Sequence, residues 1–170
     1  LTVFQALELE GIENGVFSTD SEQYAETVLR DVAASGYPSE RLSIHFRGAA
    51  QAGAHSKIFA VLKPLAEESF FDAQYVALML PTAPLRRRST AERVIDLARS
   101  EGQVSFTACA YDFHVSFAFS EAAQNSDSQL WQPLIQGNPM VTGVTRSQDQ
   151  IQYLHPHGGL AVAQVNQLGS

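Results

Sequence analysis

The spacing of apolar residues changes period several times along this chain, and each change predicts an element. Residues 1–10, "LTVFQALELE", fit two templates: Val3, Leu7 and Leu9 alternate as in a strand, while Val3, Phe4 and Leu7 share a helical face. "NGVFS" (14–18) is short, apolar in the middle and opened by a turn pair, which predicts a strand. The spacing then lengthens. Tyr24, Val28, Leu29 and Val32 line one face of a helix over 20–36, with Asp20 and Gln23 placed as a capping pair and Gly36 as a stop. "RLSIHF" (41–46) alternates as a strand, and Ile58, Val61, Leu62 and Leu65 predict a helix bent at Pro64. "QYVALML" (74–80) is a continuous apolar run, as in a strand covered on both faces. Ala91, Val94, Ile95 and Ala98 predict a helix opened by a Ser89-x-x-Glu92 capping box and ended by Gly102. "QVSFTACAY" (103–111) is the next strand, with Cys109 read as a core residue.

This strand–helix alternation predicts an α/β fold with a mostly parallel sheet flanked by helices. After residue 111 the pattern shifts. "DFHVSFAFS" reads as a strand with Phe113, Val115, Phe117 and Phe119 on one face. A polar stretch to about residue 143 reads as an excursion, a hairpin leaving the sheet. "GGLAVAQV" (158–165) returns to the sheet.

Length and charge narrow the functions. The 170 residues suit a single domain, and 45% hydrophobic residues can fill a core. A formal net charge of −7 argues against nucleic-acid binding, which needs broad positive potential. It does not argue against one small anionic ligand held by a local cluster. No apolar run approaches the roughly 18 residues of a membrane span. The single cysteine and the lack of a leader pattern point to a cytoplasmic setting. The start at Leu1, inside an apolar pattern, and the end at "NQLGS" read as two cut ends of a longer chain.

Unusual residues follow the predicted strands. Ligands of open parallel sheets bind beyond the carboxyl ends of the strands. Here those positions carry "STDS" (18–21), "RG" (47–48) and "PTAPLRRR" (81–88). Thr19 and Asp20 also fit helix caps, and the arginine run also fits a solvated helix start. Yet each cation at a helix N-terminus opposes the dipole by roughly 0.3–1 kcal/mol, which favours an anion close to Arg86, Arg87 or Arg88. Pro81 and Pro84 stiffen the turn that presents Thr82. His155 and His157, two apart, share one side of a strand, but no third metal ligand stands at a suitable spacing, so they read as loop histidines beside a ligand. No Gly-x-Ser-x-Gly elbow is present.

Three segments carry a resemblance to a family. "FDAQYVALMLPTAPLRRRSTAERVIDLARS", with Pro81, Thr82, Ala83, Pro84, Leu85 and Arg86, resembles the central Pro-Thr-Ser/Ala-Pro-Leu-Arg segment of the CMP-sialic acid synthetases. "GVFSTDSEQYAETV" is similar to that family's strand and Ser-Thr-Asp turn, and "TRSQDQIQYLHPHGGLAVA" to its Thr-Arg-x-Gln-Asp segment. The resemblance spans nearly the whole chain, in the family's order.

It implies a Rossmann-like nucleotide-diphospho-sugar transferase fold, a helix over residues 1–10, and a dimerisation hairpin within 112–145 of a homodimer. The implied reaction is transfer of CMP from CTP to a sialic-acid-like nonulosonic sugar, with pyrophosphate released and Mg²⁺ spreading the charge. By the same matching, Asp20, Arg47, Ser56 and Thr82 would hold the nucleotide. Leu80, Arg86, Arg146, Gln148, Asp149 and His157 would border the sugar, with Arg146 on its carboxylate.

Departures are as visible. Leu80 stands where many members have Gln, His157 where they have Asn, and Ala161 where they have an aromatic residue. The acidic residue expected after Arg47 is missing from "RGAAQAGAHSKI". The triphosphate-cradling loop and the metal-binding Asp pair would lie outside the two ends. The alternative expectation is therefore a catalytically incomplete relative that binds a nucleotide or a partner.

Overall fold

The computed structural model describes residues 1–53, 57–67, 73–121 and 131–168. The chain divides into two compact units, Leu1–Thr107 with Gly158–Ser170, and Ala108–His157. The architecture is mixed α/β.

The larger unit opens with helix α1 (Thr2–Glu8), as the resemblance implies for this ambiguous segment. Strand β1 (Gly15–Thr19), helix α2 (Glu22–Ala34) and strand β2 (Leu42–Phe46) follow. β1 and β2 pair in parallel, from Gly15 opposite Leu42 to Thr19 opposite Phe46. A parallel pair needs a crossover, and α2 supplies it. α2 starts one residue later than the capping pattern predicts. Ser21 caps it by accepting from the Tyr24 N–H at 3.3 Å, and Asp20 is left outside the helix. Leu7, Val32 and Leu42 form a buried cluster beneath this unit, with Val3, Phe4, Phe17 and Val28 packed on it.

Next come α3 (Ala49–Ala52), a short turn of helix not predicted from the sequence, and α4 (Phe59–Glu67), in which Val61 and Leu65 are buried and Pro64 stands inside the helix. Strand β3 (Tyr75–Leu78) leads to the longest helix, α5 (Arg88–Glu101). The predicted face of α5 is the buried one: Ala91, Val94, Ile95 and Ala98 pack with Leu9, Leu160 and Val162. Full burial of a Val, Leu or Ile side chain contributes about 1.5–3 kcal/mol, so this cluster anchors the unit. Gly102 ends α5 with φ 63°, where a side chain would be strained.

The Ser89 capping box does not form. The N-cap is Arg87, without a side-chain bond, and Glu92, which the box would turn back on the chain, instead accepts from Arg88 Nε at 2.6 Å. An ion pair one turn apart has taken the carboxylate.

Strands β4 (Ser105–Ala110) and β7 (Leu154–Gln164) carry the chain from one unit to the other and back. β7 pairs as a strand as expected, between β3 and β4 in a three-stranded sheet of order β3-β7-β4. This sheet is distinct from the β1–β2 pair, and the single sheet expected from the sequence is not formed among the described residues. β7 runs antiparallel to β3, with Leu78 opposite Ala161. Parallel pairing is therefore realised at β1–β2 and not at β3–β7. The buried Thr107 hydroxyl reinforces the join to β7, accepting from Leu160 N–H at 3.1 Å and donating to Leu160 O at 3.3 Å.

In the smaller unit, β5 (Phe119–Glu121) and β6 (Trp131–Pro133) pair antiparallel. The strand predicted over "DFHVSFAFS" is mostly not one. Val115–Phe117 form a 3-10 turn, because His114 Nδ1 accepts from both the Ser116 N–H (3.3 Å) and its hydroxyl (2.7 Å). That local side-chain bond outcompetes the extended pairing suggested by the alternation. Asn138, 1% exposed, caps the short helix α6 (Pro139–Thr142) and donates to Ala118 O at 3.3 Å.

Candidate functional site

The register of β1 and β2 builds the first cluster. Thr19 and Phe46 are partners, so the residues just after them, Asp20 and Arg47, leave the same sheet edge side by side. Arg47 N–H donates to Thr19 O at 2.8 Å, extending the pairing by one residue. Arg47 Nη2 then meets Asp20 Oδ1 at 2.9 Å, with the Arg47 side chain 31% exposed. One pair inward, the Ser18 hydroxyl and His45 Nδ1 lie 3.0 Å apart. Sequence reading missed that contact; the matched positions of Ser18 and His45 in the two strands were its only signal.

Arg47 is unusual in one respect. Its Nε is buried and has no hydrogen-bond partner among the described residues. A buried N–H of a cation left unsatisfied costs about 1–3 kcal/mol or more. An acceptor placed against it would recover that cost.

The second cluster is the Pro-Thr-Ala-Pro-Leu-Arg turn. Thr82 is exposed, as the stiff turn predicts, and Ala83 N–H donates to Leu80 O at 3.4 Å. Arg86 is partly buried, and most of its guanidinium donors turn to the protein. Its Nε donates to Gly159 O and its Nη2 to Leu80 O, while Nη1 reaches Gln5 Oε1 (3.0 Å) and Thr2 Oγ1 (3.3 Å). Burial lowers its pKa below the ordinary arginine value. Arg86 thus ties this turn to α1 and β7. Arg88, the third of the run, pairs with Glu92 and with Glu10 at 3.6 Å. Gln5, Glu8, Leu9, Met79, Arg86 and Arg88 border a hollow of about 140 Å³. Sites for small-molecule ligands span about 300–1,000 Å³, so this hollow is too small for a nucleotide.

The third cluster lies in the smaller unit. Arg146, Gln148 and Asp149 are all exposed and share one 3-10 turn, closed by Asp149 N–H to Arg146 O at 3.1 Å. His157 is exposed on β7, within a strand and not in the loop expected for it. Ser56 lies outside the described residues. The structure thus joins Asp20 to Arg47, Leu80 to Arg86, and Arg146 to Asp149.

Among the described residues, no three His, Cys, Asp or Glu side chains gather into a set that could hold a metal ion. The Mg²⁺ implied by the resemblance therefore finds no ligand cluster among these residues. In comparisons with known proteins, no family model and no curated sequence matches the chain.

Proposed function

We propose that this chain is the central part of a cytidylyltransferase of the CMP-sialic acid synthetase type, with a Rossmann-like nucleotidyltransferase fold. The observation that carries this reading is the Asp20–Arg47 pair at the carboxyl edge of a parallel β1-α2-β2 unit, with a buried Arg47 Nε that lacks an acceptor. Such an edge is where nucleotides bind in α/β sheets. A phosphate or ribose oxygen of CTP accepts from Arg47, while Asp20 holds the guanidinium plane in place.

The anomeric hydroxyl of a 2-keto-3-deoxy sugar acid then attacks the α-phosphorus: its O–P bond forms, its proton passes to solvent, and the bond from the α-phosphorus to the bridging oxygen breaks as pyrophosphate leaves. Positioning and cationic stabilisation of phosphate oxygens account for most of catalysis in such transfers. Arg146 takes the sugar carboxylate with two parallel N–H donors, next to Gln148 and Asp149 in the same turn. Thr82 contributes an exposed hydroxyl from its stiff turn. The pairing β5–β6 and exposed Phe113, Trp131 and Met140 support the smaller unit as a homodimer contact. No helix among the described residues is long and apolar enough to cross a membrane.

A second reading rests on Arg86. Four of its five N–H donors are spent on protein acceptors, so a group the resemblance assigns to the sugar works as a structural tie. That favours a relative which binds nucleotide without turnover.

Pyrophosphate release by the full-length protein, offered CTP with a panel of nonulosonic acids, separates the two. Turnover with at least one sugar supports the enzyme, and CTP binding without turnover supports the second reading. In the enzyme, Arg146→Ala raises the KM for sugar far more than that for CTP. Equal losses contradict the role given to Arg146.

A further inference from the structure

The smaller unit holds a thiol–imidazole pair that the proposed reaction does not use. Cys109 Sγ lies 3.2 Å from His155 Nε2. The other ring nitrogen, Nδ1, lies 3.1 Å from Pro156 O. A carbonyl oxygen only accepts, so Nδ1 carries the hydrogen, and in the neutral ring Nε2 presents its lone pair to the sulfur. The Tyr111 ring packs on the imidazole with centroids 4.6 Å apart and fixes its plane from one side.

The thiol, read from sequence as core, is only partly buried. It lies on β4, the last strand in the order β3-β7-β4 among the described residues. A nucleophile beside a base whose tautomer is set by a third group is the arrangement that activates thiols. Among the described residues, no third metal-ligating side chain joins the pair.

We propose that Cys109 is a covalent modification site that exchanges with low-molecular-weight disulfides, with His155 as its proton acceptor. The Cys109 proton passes to His155 Nε2, and the thiolate attacks one sulfur of the incoming disulfide. A new S–S bond forms to Cys109 as the old one breaks. The departing thiolate takes the proton back from His155. No second cysteine lies within these 170 residues to close a disulfide among them, so over this stretch the product is a mixed disulfide.

The test is the rate of mixed-disulfide formation with oxidised glutathione at neutral pH, followed by intact mass. Because Cys109 is the only cysteine, the same protein unfolded in urea is the reference thiol. The folded chain should react roughly tenfold or more faster than the unfolded one, and His155→Gln should lose that advantage. Circular dichroism checks that the variant is folded. If His155→Gln does not fold, the comparison of folded with unfolded wild type decides alone. A folded rate equal to or below the unfolded rate, or a folded His155→Gln as fast as wild type, overturns the proposal.

Discussion

Arg47 and Arg86 both follow strands of the larger unit, both match positions of one family's motifs, and they do opposite things. Arg86 has four of its five N–H donors filled by Gly159 O, Leu80 O, Gln5 and Thr2. Arg47 meets one carboxylate and keeps a buried Nε without a partner among the described residues. The difference shows that a motif arginine is a ligand group only if the fold leaves some of its hydrogen-bonding capacity unspent. In the Pro-Thr-Ala-Pro-Leu-Arg turn most of that capacity goes to holding the turn; at the β1–β2 edge more of it is reserved.

The sharpest way to break the comparison is Arg86→Ala. Leaving two backbone carbonyls and two side chains without their cationic donor should cost about 3 kcal/mol of stability, read as a lower urea midpoint with unchanged slope. Arg86→Lys should recover little, because an ammonium cannot span four acceptors in a plane. A loss near zero would return Arg86 to the list of ligand groups.

Thr107→Val probes a neighbouring anchor of β7. It strands the buried Leu160 N–H and should cost about 1–2 kcal/mol, read in the same urea titration. Arg47→Ala should be milder still on stability, at about 0–1 kcal/mol, since it removes a partly exposed ion pair. A larger loss would make Arg47 a second structural tie and erase the contrast.

The smallest effect lies in alkali. The Tyr37 hydroxyl donates to Glu8, and that bond raises the tyrosine pKa above its ordinary value. The contribution is therefore complete below the unfolded phenol's pKa of about 10 and is lost as pH rises through the higher folded value. Wild type should lose stability over that alkaline range and Tyr37→Phe should not, as thermal melts across the range would show.

Much of the larger unit is legible in the sequence. The switch from alternation to helical spacing at residue 20 places β1, α2 and β2, and the buried face of α5 is read correctly to the residue, because four small or branched apolar side chains recur at one helical spacing. The placement of Asp20 beside Arg47 follows from the same reading once two parallel strands end in register. What stays hidden depends on distant or local polar contacts. The acceptor that commits Arg86 is Gly159 O, 73 residues along the chain. The 3-10 turn at Val115–Phe117 depends on which way one histidine nitrogen points. The Cys109–His155 pair joins two strands 46 residues apart. Hydrophobic period carries no information about any of these.

The arginine side chains themselves give the most direct test. Their Nε–H resonances are observable by nitrogen-15 NMR and assignable through Arg47→Lys and Arg86→Lys. Titration with CTP should move the Arg47 Nε–H signal as it gains an acceptor and leave that of Arg86 in place. An Arg47 signal that stays still while CTP shifts resonances elsewhere, or an Arg86 signal that moves in its stead, would contradict the account.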